Sequence, residues 1–164
     1  MPPRSQAPPA AATGAPGLKR LFSELVRLET ELWGAVENRL RADHDLPLPQ
    51  FEFMQVISRV PNCRVQDIAE EISITVGGAS KIVDRIEAAG HCARRANPGD
   101  RRSSIVELTP AGKRLLAKAN VTFEDELRKR LGPALSGSSS VQFTKTLSRL
   151  RAAVNSAGAS RRTT

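Results

Sequence analysis

Four arginines fall within nine residues, Arg94, Arg95, Arg101 and Arg102, in a stretch that also carries Asn97, Gly99 and Asp100. Guanidinium groups at that density bind phosphate oxygens in bidentate fashion and gain from the enhanced negative potential of a narrow minor groove. Upstream, Thr75, Gly77, Gly78, Ser80, Lys81 and Arg85 form a small, polar, basic run whose backbone can come close to base edges and phosphates in a major groove. Thr75, Gly77, Gly78, Ser80, Lys81, Arg85, Asn97, Asp100, Arg101 and Arg102 are therefore the candidate DNA contacts. Plainer readings stand beside this one. A charge run is usually a solvated face. Two adjacent glycines also suit a turn before a helix that starts later, and Arg85 has Asp84 and Asp100 at hand as ion-pair partners.

Other chemistries lack their residues. Cys63 and Cys92 form no CxxC pair, have no histidines grouped with them, and are too few for a disulfide scaffold. They read as inert small residues, although Arg94 close to Cys92 would favour a thiolate there. His44 and His91 stand far apart in the chain, and no phosphate-cradling glycine loop, HExxH helix or nucleophile with a paired base is present. No enzyme, metal or cofactor is expected. One Trp and no Tyr make a platform for stacking single-stranded bases hard to build. No apolar run approaches the roughly 20 residues a membrane helix needs, and the amino terminus lacks a basic segment followed by an apolar one. A cytoplasmic protein, nucleoid-associated when bound to DNA and without a membrane partner, is the expectation. The 164 residues carry a net charge of +8, and the excess lies in the second half, which favours a polyanionic partner.

The elements that must position these residues follow from periodicity. Residues 1–17 are Pro/Ala-rich and read as a disordered tail. From Leu18 to Leu40 apolar residues recur at helical spacing, giving one long amphipathic helix within 18–46. Pro49 suits the first residue of a second helix bearing Phe53, Val56, Ile57 and Val60. Two short helices follow, Val65 to Ile72 and Val76 to Ala89, with Ala69 where they approach and Ile68, Ile72, Ile74, Ala79 and Ile82 as the buried set. Ser73 occupies the turn position where glycine is common. HCARRA and SSIVEL read as strands about the turn NPGD. Thr109 caps a further helix with Pro110 at its first position, Gly132 and Pro133 stop it, and a last helix carries Val141, Leu147, Leu150 and Val154. Residues 155–164 read as a flexible basic tail. The fold class is mainly α with a small β-hairpin wing.

In this order the chain resembles the MarR family of transcriptional regulators. The resemblance rests on DRRSSIVELTPAGKRLL at 100–116, VQDIAEEISITVGGASKIVDRIEAAG at 65–90 and PQFEFMQVIS at 49–58. It places Asp100 and Arg102 on the family's wing and Leu108, Thr109 and Gly112 in the positions that follow. It implies a homodimer in which residues 18–46 and 110–154 dimerise two winged helix-turn-helix lobes, 47–109, over a pseudo-palindromic operator, usually as a repressor. The long apolar stripes agree, since they exceed what one small lobe covers. Two recognition helices would then meet major grooves roughly 34 to 36 Å apart. Many members release DNA on binding a small aromatic or anionic ligand, for which Trp33 and His44 are the candidates here. A lone Trp on a helix can equally be core. The family's peroxide-sensing branch has a reactive Cys near its start, and no Cys precedes Cys63. The competing function is a winged-helix module that binds protein, or DNA without sequence preference, and answers to no ligand.

Overall fold

The computed structural model describes residues 15–100, 102–135 and 137–159. Helix α1 spans Ala15–His44, α2 Leu48–Arg59, α3 Val65–Ile72 and α4 Val76–Ala88. Strands β1, Cys92–Ala96, and β2, Ser104–Leu108, follow, then α5, Pro110–Leu131, and α6, Ser138–Ala159. Two expected boundaries move. Helix α1 begins at Ala15, three residues inside the segment read as a tail, and α6 continues to Ala159, past the expected break at Asn155. The remaining tail residues, 1–14 and 160–164, lie outside the described residues.

The core forms where α1, α2 and α5 meet the helix-turn-helix. Val36 and Leu40 of α1, Phe51, Phe53 and Met54 of α2, Ile68, Val83 and Ile86 of the short helices, and Leu116 and Ala119 of α5 are buried together. The rings of Phe51 and Phe123 stand 5.0 Å apart at a 37° tilt, an aromatic pair that adds to area burial. Leu48 is the first residue of α2 and Pro49 the second, one place later than the sequence suggests. Proline is tolerated at both positions because no N–H there has an intrahelical partner.

Strands β1 and β2 pair antiparallel from Cys92 opposite Leu108 to Ala96 opposite Ser104. Arg64 bridges to Ile105 and the Val106 N–H donates to the Cys63 carbonyl at 2.7 Å, so the chain before α3 covers the second edge of β2. Thr109 caps α5, accepting from the Gly112 N–H at 3.0 Å while donating its own hydroxyl to the Gly90 carbonyl at 2.7 Å. Gly112 is required here: a Cβ on it would sit 1.9 Å from the His91 carbonyl oxygen.

Much apolar surface has no partner within the chain. Leu18, Leu21, Phe22, Val26 and Leu28 of α1 and Val141, Phe143, Leu147, Leu150 and Val154 of α6 are all exposed. Among the described residues α6 packs on no other element to a substantial extent.

Candidate nucleic-acid interface

The lobe is built from short-range bonds. Before α3, the Arg64 N–H donates to Asp67 Oδ2 at 2.8 Å, and the Arg64 guanidinium grips the same carboxylate through Nε and Nη2 at 3.1 and 2.8 Å. The guanidinium, with help from the backbone N–H, holds the Asp67 carboxyl below the usual range against partial burial. Helix α3 ends at Ser73, whose φ of 61° and ψ of 44° are left-handed. That conformation costs a non-glycine residue about 1 to 2 kcal/mol. It is held by the Ser73 N–H donating to Glu70 at 3.2 Å and the Ile74 N–H donating to Ala69 at 2.9 Å. The corner of the helix-turn-helix is thus made without glycine.

Thr75 is the N-cap of α4, its hydroxyl accepting from the Gly78 N–H at 3.2 Å. Gly77 and Gly78 lie inside the first helical turn, so they are not the lead-in to a later helix. Nothing approaches within 4 Å of where a Gly77 Cβ would stand, and Gly78 meets only the Thr75 hydroxyl, at 3.1 Å. Close packing in this chain therefore does not demand glycine at 77. Ala79 is fully buried, Ser80 half-buried, and Lys81 and Arg85 exposed. The buried set differs from expectation at one residue: Ile68 and Ala79 are buried and Ile72 and Ile82 partly so, but Ile74 is 40% exposed.

The four-arginine cluster divides. Arg94 donates to Asp84 at 2.6 Å and to Glu87, and its N–H donates to Glu87 Oε1 at 2.9 Å. Arg95 donates to Glu107 at 2.8 Å and to Asn62 at 3.1 Å. Both are thus neutralised locally. Asp84, expected as a partner for Arg85, is taken by Arg94; among the described residues neither Arg85 nor Lys81 has an ion pair. Arg101 lies outside the described residues. Arg102 is exposed on the wing, its side chain without an ion pair among the described residues.

The wing tip folds on its own polar groups. Asn97 Oδ1 accepts from the Gly99 N–H at 3.0 Å, Asn97 Nδ2 donates to Ser103 Oγ at 2.9 Å, and Asp100 Oδ1 accepts from the Arg102 N–H at 3.0 Å. Asn97 and Asp100 therefore shape the loop that presents Arg102.

The two ligand candidates are not brought together. His44 Nε2 lies 2.8 Å from Thr122 Oγ1 and ties α1 to α5. Trp33, 40% exposed, stands between two openings. One, of about 180 Å³, is apolar, lined by Leu32, Val36, Leu48, Phe123 and two carboxylates, Glu29 and Glu52. Burial pushes the Glu52 carboxyl up. The other, of about 290 Å³, runs from Arg41 of α1 past Pro47 and Pro49 to Ile82 and Arg85 of α4. His44 lines neither. Arg85, missed as a cavity residue, owes its place there to the α1–α4 approach, which no local pattern announces. Both thiols are buried and pushed up to about 11, Cys63 by burial and then Asp67, Cys92 by burial and then Glu87. Arg94 does not activate Cys92, because desolvation outweighs its charge. Among the described residues no three His, Cys, Asp or Glu side chains group as a metal site. No helix of the described residues is long and apolar enough to cross a membrane.

Two packed short helices followed by an antiparallel hairpin that carries an outward arginine define a winged helix-turn-helix protein. The model of the MarR family matches residues 44–103, most of the winged lobe. An uncharacterized HTH-type transcriptional regulator of Bacillus subtilis, YfiV, is 30% identical over 71 residues, 43% of this chain and 44% of that protein. The match spans about half the length of the curated relatives. Among solved structures, a mutant MarR from E. coli complexed with operator DNA superposes with a TM-score of 0.75 at 18% identity, covering 82% of this chain and 95% of that one. BpsR of Bordetella bronchiseptica, whose DNA binding is regulated by 6-hydroxynicotinic acid, gives 0.71 at 20% identity, covering 80% and 98%. Both curated relatives are HTH-type transcriptional regulators.

Proposed function

We propose that the chain is a sequence-specific, double-stranded DNA-binding transcriptional regulator that acts as a homodimer on a pseudo-palindromic operator, as a repressor. The observation that carries this reading is the distribution of free cations. On the lobe, Arg59, Arg64, Arg94 and Arg95 are all held by carboxylates, whereas Lys81 and Arg85 of α4 and Arg102 of the wing are left without such partners among the described residues. Charges left on the recognition helix and on the wing suit phosphates on either side of a groove. E. coli MarR, of the same fold, is known in complex with operator DNA.

The homodimer is supported by α1 and α6. An isolated amphipathic helix of 22 residues with Leu147, Leu150 and Val154 exposed needs a partner for its apolar side, and a second copy supplies one. The ligand reading moves to the opening between Trp33 and Arg85. A small aromatic anion there would lie on the indole face and pair with Arg85, since Arg41 is held by Glu37, and would touch the recognition helix directly. BpsR shows that a relative of this fold answers to such a compound. We assign the protein no cofactor.

Selection of bound duplexes from a random-sequence pool, at about physiological salt so that non-specific attraction is suppressed, tests the reading. An inverted repeat with half-sites about one helical turn apart is expected. Absence of any enriched sequence would overturn it in favour of a protein-binding winged-helix module.

A further inference from the structure

All but two of the exposed large hydrophobic residues among the described residues lie on α1, α5 and α6, the helices that the proposed dimer and the Trp33 opening involve. Ile74, 40% exposed, and Val76, 50% exposed, are the only ones on the winged lobe among the described residues. They flank Thr75 at the junction of the turn and α4. We propose that Ile74 and Val76 read thymine, by packing on its 5-methyl group in the major groove. The inference rests on the DNA-binding reading and names what this end of the recognition helix recognises.

Three observations lead there. The Thr75 side chain is held in its capping position by the Gly78 N–H, and the exposed side chains on either side of it, Ile74 and Val76, are apolar. Open space at Gly77, with no Cβ beside Val76, lets the helix start approach another surface closely. Lys81 and Arg85 further along α4, and Arg102 on the wing, have no ion pairs among the described residues, so the apolar pair sits within a cationic rim that suits a duplex. In the major groove adenine and cytosine present amino donors and guanine two acceptors; only thymine presents a methyl group. Packing Ile74 or Val76 on the other bases would strip water from polar edges without replacing their hydrogen bonds. Thymine alone gains by the contact.

The experiment uses the full chain and the operator recovered from the selection. Thymines of each half-site are replaced one at a time by deoxyuridine, which deletes the methyl and keeps the base pair. Binding is measured for the unsubstituted protein and for Ile74→Ser and Val76→Ser, which keep no methyl group on the side chain. Each recognised methyl is expected to contribute about fourfold in affinity, the value of one buried methyl-sized group. One or two thymines per half-site should show that loss with the unsubstituted protein, and the loss should vanish with the variant that no longer touches the methyl. The salt dependence should be unchanged throughout. An operator indifferent to every thymine methyl, or methyl effects that persist undiminished in both variants, overturns this inference and leaves the regulator reading standing. Altered oligomeric state in the variants with unaltered DNA affinity would also overturn it, assigning the pair to a protein contact. Failure to recover any operator overturns both readings together.

Discussion

The Arg94 guanidinium donates to the Asp84 carboxylate at 2.6 Å, across the junction between wing strand β1 and helix α4. With the two bonds to Glu87, this makes the wing and the recognition helix one unit. On the DNA-binding reading Arg94 is a positioning residue: it fixes how far the wing stands from α4 and so the spacing at which the two would meet a duplex. Arg94→Met leaves two carboxylates without their cation and is expected to cost about 1 to 3 kcal/mol of stability. Operator affinity should fall as well. Because the Arg94 guanidinium is already held by Asp84 and Glu87, the slope of affinity against salt should stay as it is, measured by titration at several salt concentrations.

Arg102 is expected to behave in the opposite manner. Arg102→Ala should leave the thermal midpoint nearly unchanged, lower operator affinity about tenfold or more and reduce the salt slope by about one. Arg95→Ala, which removes a side chain already paired with Glu107 and Asn62, should change affinity by less than about threefold. Equal effects of the two substitutions would refute the division of the arginine cluster described above.

Gly112→Ala tests the close contact between α5 and the end of α4. The added methyl meets backbone, the His91 carbonyl, and cannot be accommodated by a side-chain rotation. A loss of about 1 to 3 kcal/mol or more, seen as a lowered midpoint of chemical denaturation, is the expected outcome.

Acid should weaken the lobe through Asp67. Its carboxyl is held low in the folded protein by Arg64, so the stability it contributes is present above the ordinary aspartate value near pH 4 and is lost as pH falls through the lower folded value. Glu126, held low first by Arg130, adds in the same direction. The thermal midpoint should therefore fall below about pH 4, against the opposite contribution of Glu52, and Asp67→Asn should flatten that fall while lowering the midpoint at neutral pH.

The dimer reading predicts that Leu150→Glu, on the exposed side of α6, yields a monomer in sedimentation with its lobe intact, and that a single half-site then binds as well as the full operator. A variant that remains dimeric would place the interface elsewhere.

Local signals carried much of this fold into the sequence. Helix α3 has the limits the pattern gives, Val65–Ile72, and Thr109 is the cap it looks like, because a cap is decided within four residues. Tertiary pairings were hidden. Nothing in the run CARRA distinguishes the arginines that find Asp84, Glu87 and Glu107 from one left free. Ile74 has the composition of a core residue, and only the left-handed turn at Ser73 sends it outward. Trp33 and His44 do share a helix face, but eleven residues of helix separate them by about 16 Å, too far for one small ligand.

Trp33 has a practical consequence. The chain contains one Trp and no Tyr, so its near-ultraviolet emission comes almost wholly from a single indole. That indole is partly exposed and borders the opening that reaches Arg85. The protein thus carries its own optical reporter where α1 faces α4, and quenching or a wavelength shift would register a bound molecule without any label being attached.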